Sequence, residues 1–357
     1  MRAGRNEAIR QPQGVAVAGR VTLARVAQEA GVSPATVSKV VNGRAGVGAA
    51  TRLAVEKAVE RAGYVAIAER QRPFRGVGEP LVEVLLESMH HPYNGTFLDG
   101  ASGAVEAASA GLVVRLLHAV VDDDALAWAQ KLARAGRVGV IEVTAKYSKA
   151  RAEALRAVGL PLVLVDPLDE PRTSVYNIGA TNWAGGVEAT RHLVELGHRR
   201  IAYIGGPPQI ACNIARQHGY MAALHQADIA FDPGLVLHGS FTFKHGFDAA
   251  TQFLSRRPRP TAIFAACDLA ALGVLEAARR LRISVPEQLS LVGFDNTGIA
   301  ASSAPPLTTV HQPILQIGEA AVRTLFRLAS GDPAPKRIEL ATHLVIRSST
   351  APLSAAP

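Results

Sequence analysis

Polar side chains stand where several apolar runs of this chain end. Asp295 follows "LVGF", Asp268 follows "IFAAC", and Tyr93 follows the first apolar run, in "HPYNG". Arg216 sits in "RQHGY" and Phe241 in "HGSFT". A carboxylate and a guanidinium sharing a cleft with an aromatic face suit a polyol or sugar. The charged groups hydrogen-bond hydroxyls, and the ring covers the apolar face of the sugar. Plainer readings stay open for two of these residues. Asp268 stands where it would cap the helix that it begins, and Arg216 could form an ion pair on a helix surface. A charge directly after a buried strand needs a partner, which favours a ligand for Asp295.

A second chemistry lies near the N-terminus, in "VSPATVSKVVNG". Ser33 is a good N-cap and Pro34 suits the first helical position. Asn42 and Gly43 close the helix, since both tolerate the left-handed conformation. Val37, Val40 and Val41 form one narrow apolar stripe. The other face carries Ala35, Thr36, Ser38 and Lys39, which are small, hydroxylated or cationic. Such a face lets a backbone approach base edges while Lys39 reaches a phosphate or guanine.

Elements must hold both sets of residues in place. Around the small helix, "VTLARVAQEAG" puts Leu23, Val26, Ala27 and Ala30 on one face, with Thr22 as N-cap and Gly31 as the stop. A third helix follows, with Val55 and Val59 inward. Two helices joined by a three-residue glycine turn and braced by a third predict a helix-turn-helix over 21–65, its second helix entering the major groove. From Leu81 onward, apolar runs such as "LVEVLLES", "LVVRLLHA", "VGVIEVTA" and "LPLVLVDP" alternate with helical stretches, and a second such series begins near Gly179. That alternation predicts α/β architecture, two lobes of doubly wound parallel sheet with a ligand cleft between them.

Charge agrees with this division. Residues 1–78 hold 13 Lys+Arg against 5 Asp+Glu, and residues 79–357 hold 25 of each, so the net charge of +8 sits in the head. A basic head on a neutral body points to a polyanionic partner for the head alone. Residues 1–20 read as a disordered basic tail, and residues 351–357 as a second tail. Two cysteines, Cys212 and Cys267, suggest reduced packing residues rather than a disulfide framework. No apolar run approaches the ~20 residues of a membrane span, and the basic N-terminus lacks the apolar core of a secretory signal. The expected location is therefore cytoplasmic, with no membrane partner.

The wording "VTLARVAQEAGVSPATVSKVVNG", followed by "TRLAVEKAVERAGY", resembles the DNA-binding head of the LacI/GalR (lactose-repressor) family of transcription regulators. "ATRHLVELGHRRIAYIGGP", "RPTAIFAACDLAALGVLEAA", "VPEQLSLVGFDN" and "PPLTTVHQP" resemble the effector-binding core of that family, which is similar to the periplasmic sugar-binding proteins. The resemblance implies a helix-turn-helix head on a periplasmic-binding-protein-like (type I) body over 80–350. It places a first lobe at about 80–178 and 309–331 and a second at about 179–305 and 338–350. It implies three crossings between lobes, the later two near 305–312 and 331–338. It also matches Asp295 and Arg216 to the positions that most often hold the effector, and Tyr93, Phe241 and Trp183 to aromatic or neighbouring positions. Trp183 is equally open to core packing.

Between head and body, over 66–79, the sequence leaves that family's pattern. The family hinge folds on DNA and drives a leucine into the minor groove. Here "VAIAERQRPFRGVGEP" has no leucine, and Pro73 falls where the wedge belongs. Either Phe74 is the wedge, with Arg70, Arg72 and Arg75 on phosphates, or the segment is a flexible basic linker.

Catalytic signatures are missing from the sequence. No P-loop or G-x-S-x-G elbow occurs, and "GGPP" at 205–208 lacks the spacing of a phosphate loop. His90 and His91 are adjacent and cannot share one helix face, so no metal site is expected. The combined expectation is a non-enzymatic, homodimeric regulator, acting as a repressor without a cofactor. It binds double-stranded DNA at a pseudo-palindromic operator and answers to a small sugar-like effector. The alternative is a solute-binding component of a transport system, which would carry a signal peptide and no basic head.

Overall fold

The computed structural model describes residues 23–41, 47–62, 79–120, 124–169 and 175–353. Contacts group the chain into two units, residues 1–71 and 72–357. In the first, valine and alanine spacing folds three helices: α1 (Leu23–Ala30), α2 (Pro34–Val41) and α3 (Ala49–Ala62). Val26, Ala27, Val37, Val40, Val55 and Ala58 make its buried core. Helix α1 ends on Gly31 at φ +66°, a backbone conformation that costs glycine nothing. Val32 N–H bonds the Ala27 carbonyl at 3.0 Å and Gly31 N–H bonds that of Gln28 at 3.4 Å, closing the helix with two of its last carbonyls satisfied. The turn then delivers Ser33, whose hydroxyl accepts from Thr36 N–H at 3.2 Å and starts α2.

The second unit carries two six-stranded sheets. The first lobe runs β1 (Leu81–Leu86), α4 (Pro92–Ala107), β2 (Gly111–Leu116), α5 (Ala125–Arg134), β3 (Arg137–Val143), α6 (Lys149–Ala157), β4 (Leu162–Val165) and β5 (Tyr176–Ala180). The second runs α7 (Asn182–Glu195), β6 (Ile201–Gly205), α8 (Ala211–Gln226), β7 (Val236–His238), α9 (Phe243–Leu254), β8 (Ala262–Ala265), α10 (Asp268–Arg280), β9 (Ser290–Asp295), α11 (Gly298–Ser302) and β10 (Thr308–His311). The chain then returns to the first lobe with α12 (Ile314–Ala329) and β11 (Arg337–Leu340), and ends in the second with β12 (His343–Val345).

Each strand of a doubly wound sheet is apolar on both faces, because helices cover both. In the first sheet, Val82, Val84 and Leu86 face α4 and α12, whereas Leu85, Val140 and Leu164 face α5 and α6. In the second, Ala202, Ile204 and Ile263 face α9 and α10, and Tyr203, Phe264 and Phe294 face α7 and α8. All pairs in the first sheet, ordered β11-β5-β4-β3-β1-β2, are parallel. The second, ordered β12-β10-β9-β8-β6-β7, departs from the expected parallel sheet at one edge, where β12 pairs antiparallel with β10.

Lobe boundaries shift from those expected. Residues 176–178 pair with β4 and residues 177–180 with β11, all in the first sheet, so the second series starts after Thr181 rather than near Gly179. Residues 309–311, assigned to the first lobe, belong to the second sheet through Thr308↔Val292 and its neighbours in β9. Residues 338–340, assigned to the second lobe, pair with β5 through Ile338↔Ile178. The later crossings therefore fall at 312–313 and 341–342. No helix among the described residues is long and apolar enough to cross a membrane.

Candidate functional site

In the head, Pro34, Ala35 and Lys39 are exposed on α2, and Thr36 and Ser38 are half-buried. The buried Val37 and Val40 hold the opposite side of the helix. The Ser33 hydroxyl lies 2.9 Å from that of Thr36, so the cap also orients a hydroxyl on this face. Thr22, Asn42, Arg70, Arg72, Pro73, Phe74 and Arg75 lie outside the described residues, and so does the choice between wedge and linker.

In the body, the carboxyl ends of both sheets open on a cavity of about 410 Å³. Tyr93, Asp166, Arg216, Phe241, Asp295 and Gln312 are among its walls. The strand exits set the side chains. Thr144 (φ 47°), Asp166 (φ 41°) and Asp295 (φ 110°) all have positive φ immediately after β3, after β4 and at the end of β9. Non-glycine residues are held in that region at a cost and cluster at ligand sites.

Arg216 and Asp295 form the charged centre. Both are nine-tenths buried or more, and Arg216 Nη1 lies 3.7 Å from Asp295 Oδ1. Arg216 Nε donates to Asn182 Oδ1 at 2.8 Å and Nη1 to the Ala266 carbonyl at 2.5 Å. Its guanidinium carbon sits 3.8 Å from the Phe294 ring centre and 5.9 Å from that of Phe241. Gln312, at the second crossing, donates to Asp295 Oδ1 at 2.7 Å. From the first lobe, Tyr93 donates its hydroxyl to Asp166 Oδ2 at 2.5 Å. Burial raises the carboxyl pKa of Asp295, against the opposing charge of Arg216. Burial also raises that of Asp166, against the Tyr93 hydrogen bond and then Arg216. Tyr93 is raised well above the usual phenol value by burial and by Asp166, so it stays a donor.

Three polar atoms in these walls are buried with no hydrogen-bond partner: His91 Nε2, Asn94 Oδ1 and Gln312 Oε1. Orphaned polar atoms gathered around one cavity call for a polar ligand. A metal is the weaker choice. His91, Cys267 and Asp295 bring ligand atoms within 4.8 Å of one another. Yet His91 Nδ1 accepts from Tyr93 N–H at 3.3 Å, so the neutral ring carries its proton on Nε2 and offers a donor, not a lone pair.

Tyr93, Arg216, Phe241 and Asp295 thus come together as expected. Asp268 does not line this cavity and does not cap α10. The N-cap is Cys267, whose Sγ accepts from Ala270 N–H at 3.4 Å. Asp268 is buried and accepts from Thr297 N–H at 2.8 Å and from the Thr309 hydroxyl at 2.6 Å, tying the exit of β9 to β10. Trp183 is neither core nor a wall of this cavity; it is 50% exposed and lines a neighbouring cavity. Sequence reasoning missed Asp166, Asn94 and Gln312, and considered His91 only as a metal ligand before setting it aside. Asp166 follows "LVLV", so the rule that found Asp295 reaches it too.

A two-lobed body with such a cavity would serve a solute-binding transport component as well as a regulator. The comparisons decide between them. Residues 22–66 match the bacterial regulatory proteins of the lacI family, and residues 190–350 a periplasmic binding protein-like domain. The HTH-type transcriptional regulator CelR of Thermobifida fusca is 33% identical over 336 residues, covering 92% of this chain and 98% of that protein. The structure of the CelR–cellobiose complex superposes with a TM-score of 0.68 at 32% identity, covering 92% of this chain and 100% of the other. The lac repressor dimer bound to operator and the anti-inducer ONPF gives a TM-score of 0.68 at 27% identity, covering 93% and 100%. A transport component has no use for the matched head, and the relatives align through head and body together: the chain belongs to the LacI family of bacterial transcription regulators.

Proposed function

We propose that the chain is a cytoplasmic, homodimeric repressor whose affinity for a pseudo-palindromic operator is set by a small sugar-like effector in the two-lobe cavity. The Arg216–Asp295 pair carries this reading, because it is buried beside a cavity whose walls hold three unpartnered polar atoms. Hydroxyls of a sugar satisfy carboxylates, guanidinium and amides alike, and Phe241 offers an aromatic face. The cellobiose in the CelR structure supports the sugar class. In the head, Ala35 meets base edges and Lys39 a phosphate or guanine. No catalytic step is assigned to the cavity.

The mechanism follows from where the walls come from. An effector held by Tyr93 and Asp166 on one lobe and Arg216 and Asp295 on the other favours one separation of the lobes. DNA affinity then changes by the difference in effector affinity between the two states. A thermal-shift screen of sugars on the full chain tests the effector, since a ligand at a hundred times its Kd adds about 2.7 kcal/mol of stability. The expected hit also changes operator binding in a gel-shift assay. A complete panel without a shift overturns the sugar reading.

A further inference from the structure

Beside the effector cavity lies a second cavity of about 330 Å³. Asp166 and Cys212 are walls of both. The second cavity opens between β5 and β11 of the first lobe and the first turns of α7 and α8 of the second. Next to the shared wall, Ala211 N–H donates to the Leu168 carbonyl at 3.0 Å, a main-chain bond from lobe to lobe.

Its chemistry repeats that of the first cavity. An aromatic side chain is available, because Trp183 lines it and is half exposed. An amide is orphaned, because Asn177 Oδ1 is buried there without a partner. A carboxylate is shared, in Asp166. Asn182 also lines this cavity, and its Oδ1 accepts from Arg216 Nε, so the second cavity is wired to the guanidinium of the first. Each cavity alone is at the low end of the ~300–1,000 Å³ usual for ligand sites. A ligand of one ring satisfies the first and leaves Trp183 and Asn177 unanswered.

We propose that this second cavity is a further sugar-ring subsite, so that the effector is a saccharide of at least two rings. One ring sits with Arg216 and Asp295, and the next passes Asp166 to pack against Trp183. The proposal rests on the sugar reading of the first cavity, and its test separates the two. Full-length protein is titrated calorimetrically with glucose and galactose and with cellobiose, maltose and lactose. At least one disaccharide is expected to bind tenfold or more tightly than its constituent monosaccharides, at one molecule per chain. Trp183→Ala should bring that disaccharide down to the monosaccharide's affinity while leaving the monosaccharide unchanged, which also reports an intact fold. Trp183→Phe should retain most of the gain. In a Trp128→Phe background, Trp183 is the sole tryptophan, and its fluorescence should respond to the disaccharide and not to the monosaccharide. Equal affinities for one and two rings, or equal weakening of both by Trp183→Ala, overturns the subsite and leaves the sugar reading standing. Two monosaccharides bound per chain, the second lost in Trp183→Ala, overturns the single two-ring effector. Failure of every saccharide to bind the unaltered protein overturns the sugar reading, and this inference with it.

Discussion

Asp295 is held by three constraints at once: positive φ, a guanidinium 3.7 Å away and an amide donor at 2.7 Å. A carboxylate that hydrogen-bonds hydroxyls loses charge-assisted bonds on becoming an amide, each worth about 1.5–3 kcal/mol. Asp295→Asn should therefore weaken effector binding by tenfold or more, read by calorimetry. DNA binding without effector should stay unchanged in a gel-shift assay. Simultaneous loss of both would make Asp295 structural. The raised carboxyls of Asp166 and Asp295 give a second expectation. Effector hydroxyls need the ionised acceptors, so affinity should fall on acidification at a pH above the ordinary carboxylate value. Stability moves oppositely, because the folded body keeps protons that the unfolded chain has released. It should decline as pH rises from the ordinary carboxyl value to the raised ones. Titrations and melting curves across that window check both signs. At this scale the strand-end rule made Asp295 and Tyr93 legible from sequence. It also drew in Asp268, whose oxygens turn toward Thr297 and Thr309, since strand position does not say which way a side chain turns.

Among the elements, pairs of helices meet through glycine. A Cβ on Gly186 would run into the Arg216 carbonyl, and one on Gly219 into that of Trp183, so α7 and α8 touch backbone to backbone. That contact sets Arg216 beside Asn182 and therefore beside Asp295. Gly186→Ala should separate the helices, costing about 1–3 kcal/mol in denaturant unfolding as overpacking does, and should weaken effector binding. Gly103→Ala, on an exposed helical site with open space, should instead stabilise by several tenths of a kcal/mol. In the head, Ser33→Ala removes the cap of α2 and should cost about 1 kcal/mol. An Ala35 variant should shift base preference in a binding-site selection, and an unchanged preference would argue against this groove docking. Long strands such as "LVEVLL" were legible because burial on both faces calls for near-continuous apolar residues, the one buried charge, Glu83, being paired with Arg115 and Arg137. The edge strands β11 ("RIEL") and β12 ("HLV") and the polar β5 ("YNIGA") were not, because their pairing is settled by partners distant in sequence.

For the whole molecule, the charge imbalance of residues 1–78 against the neutral remainder makes a plain forecast. Operator affinity of the full chain should fall steeply with salt. A chain beginning at Glu79 should still bind the effector and lose the operator; specific DNA binding by that truncation would remove recognition from the head. The crossings carry a different consequence, for the order in which the molecule can be made. The first lobe takes Ile314, Ile317, Ala321, Val322 and Leu325 into its core from α12, and β11 pairs with β5 at its sheet edge. Residues 81–180, though synthesised early, cannot complete that lobe until Leu340 is made. At ~5–20 residues per second of synthesis, this waiting time is on the order of ten seconds. Apart from β12, every strand of the second sheet is contributed by an uninterrupted stretch, and that sheet is nearly whole by His311. The lobe begun first on the ribosome is thus the lobe that waits longest for its missing elements, and its unsheltered apolar face is what a nascent chain of this protein must have protected.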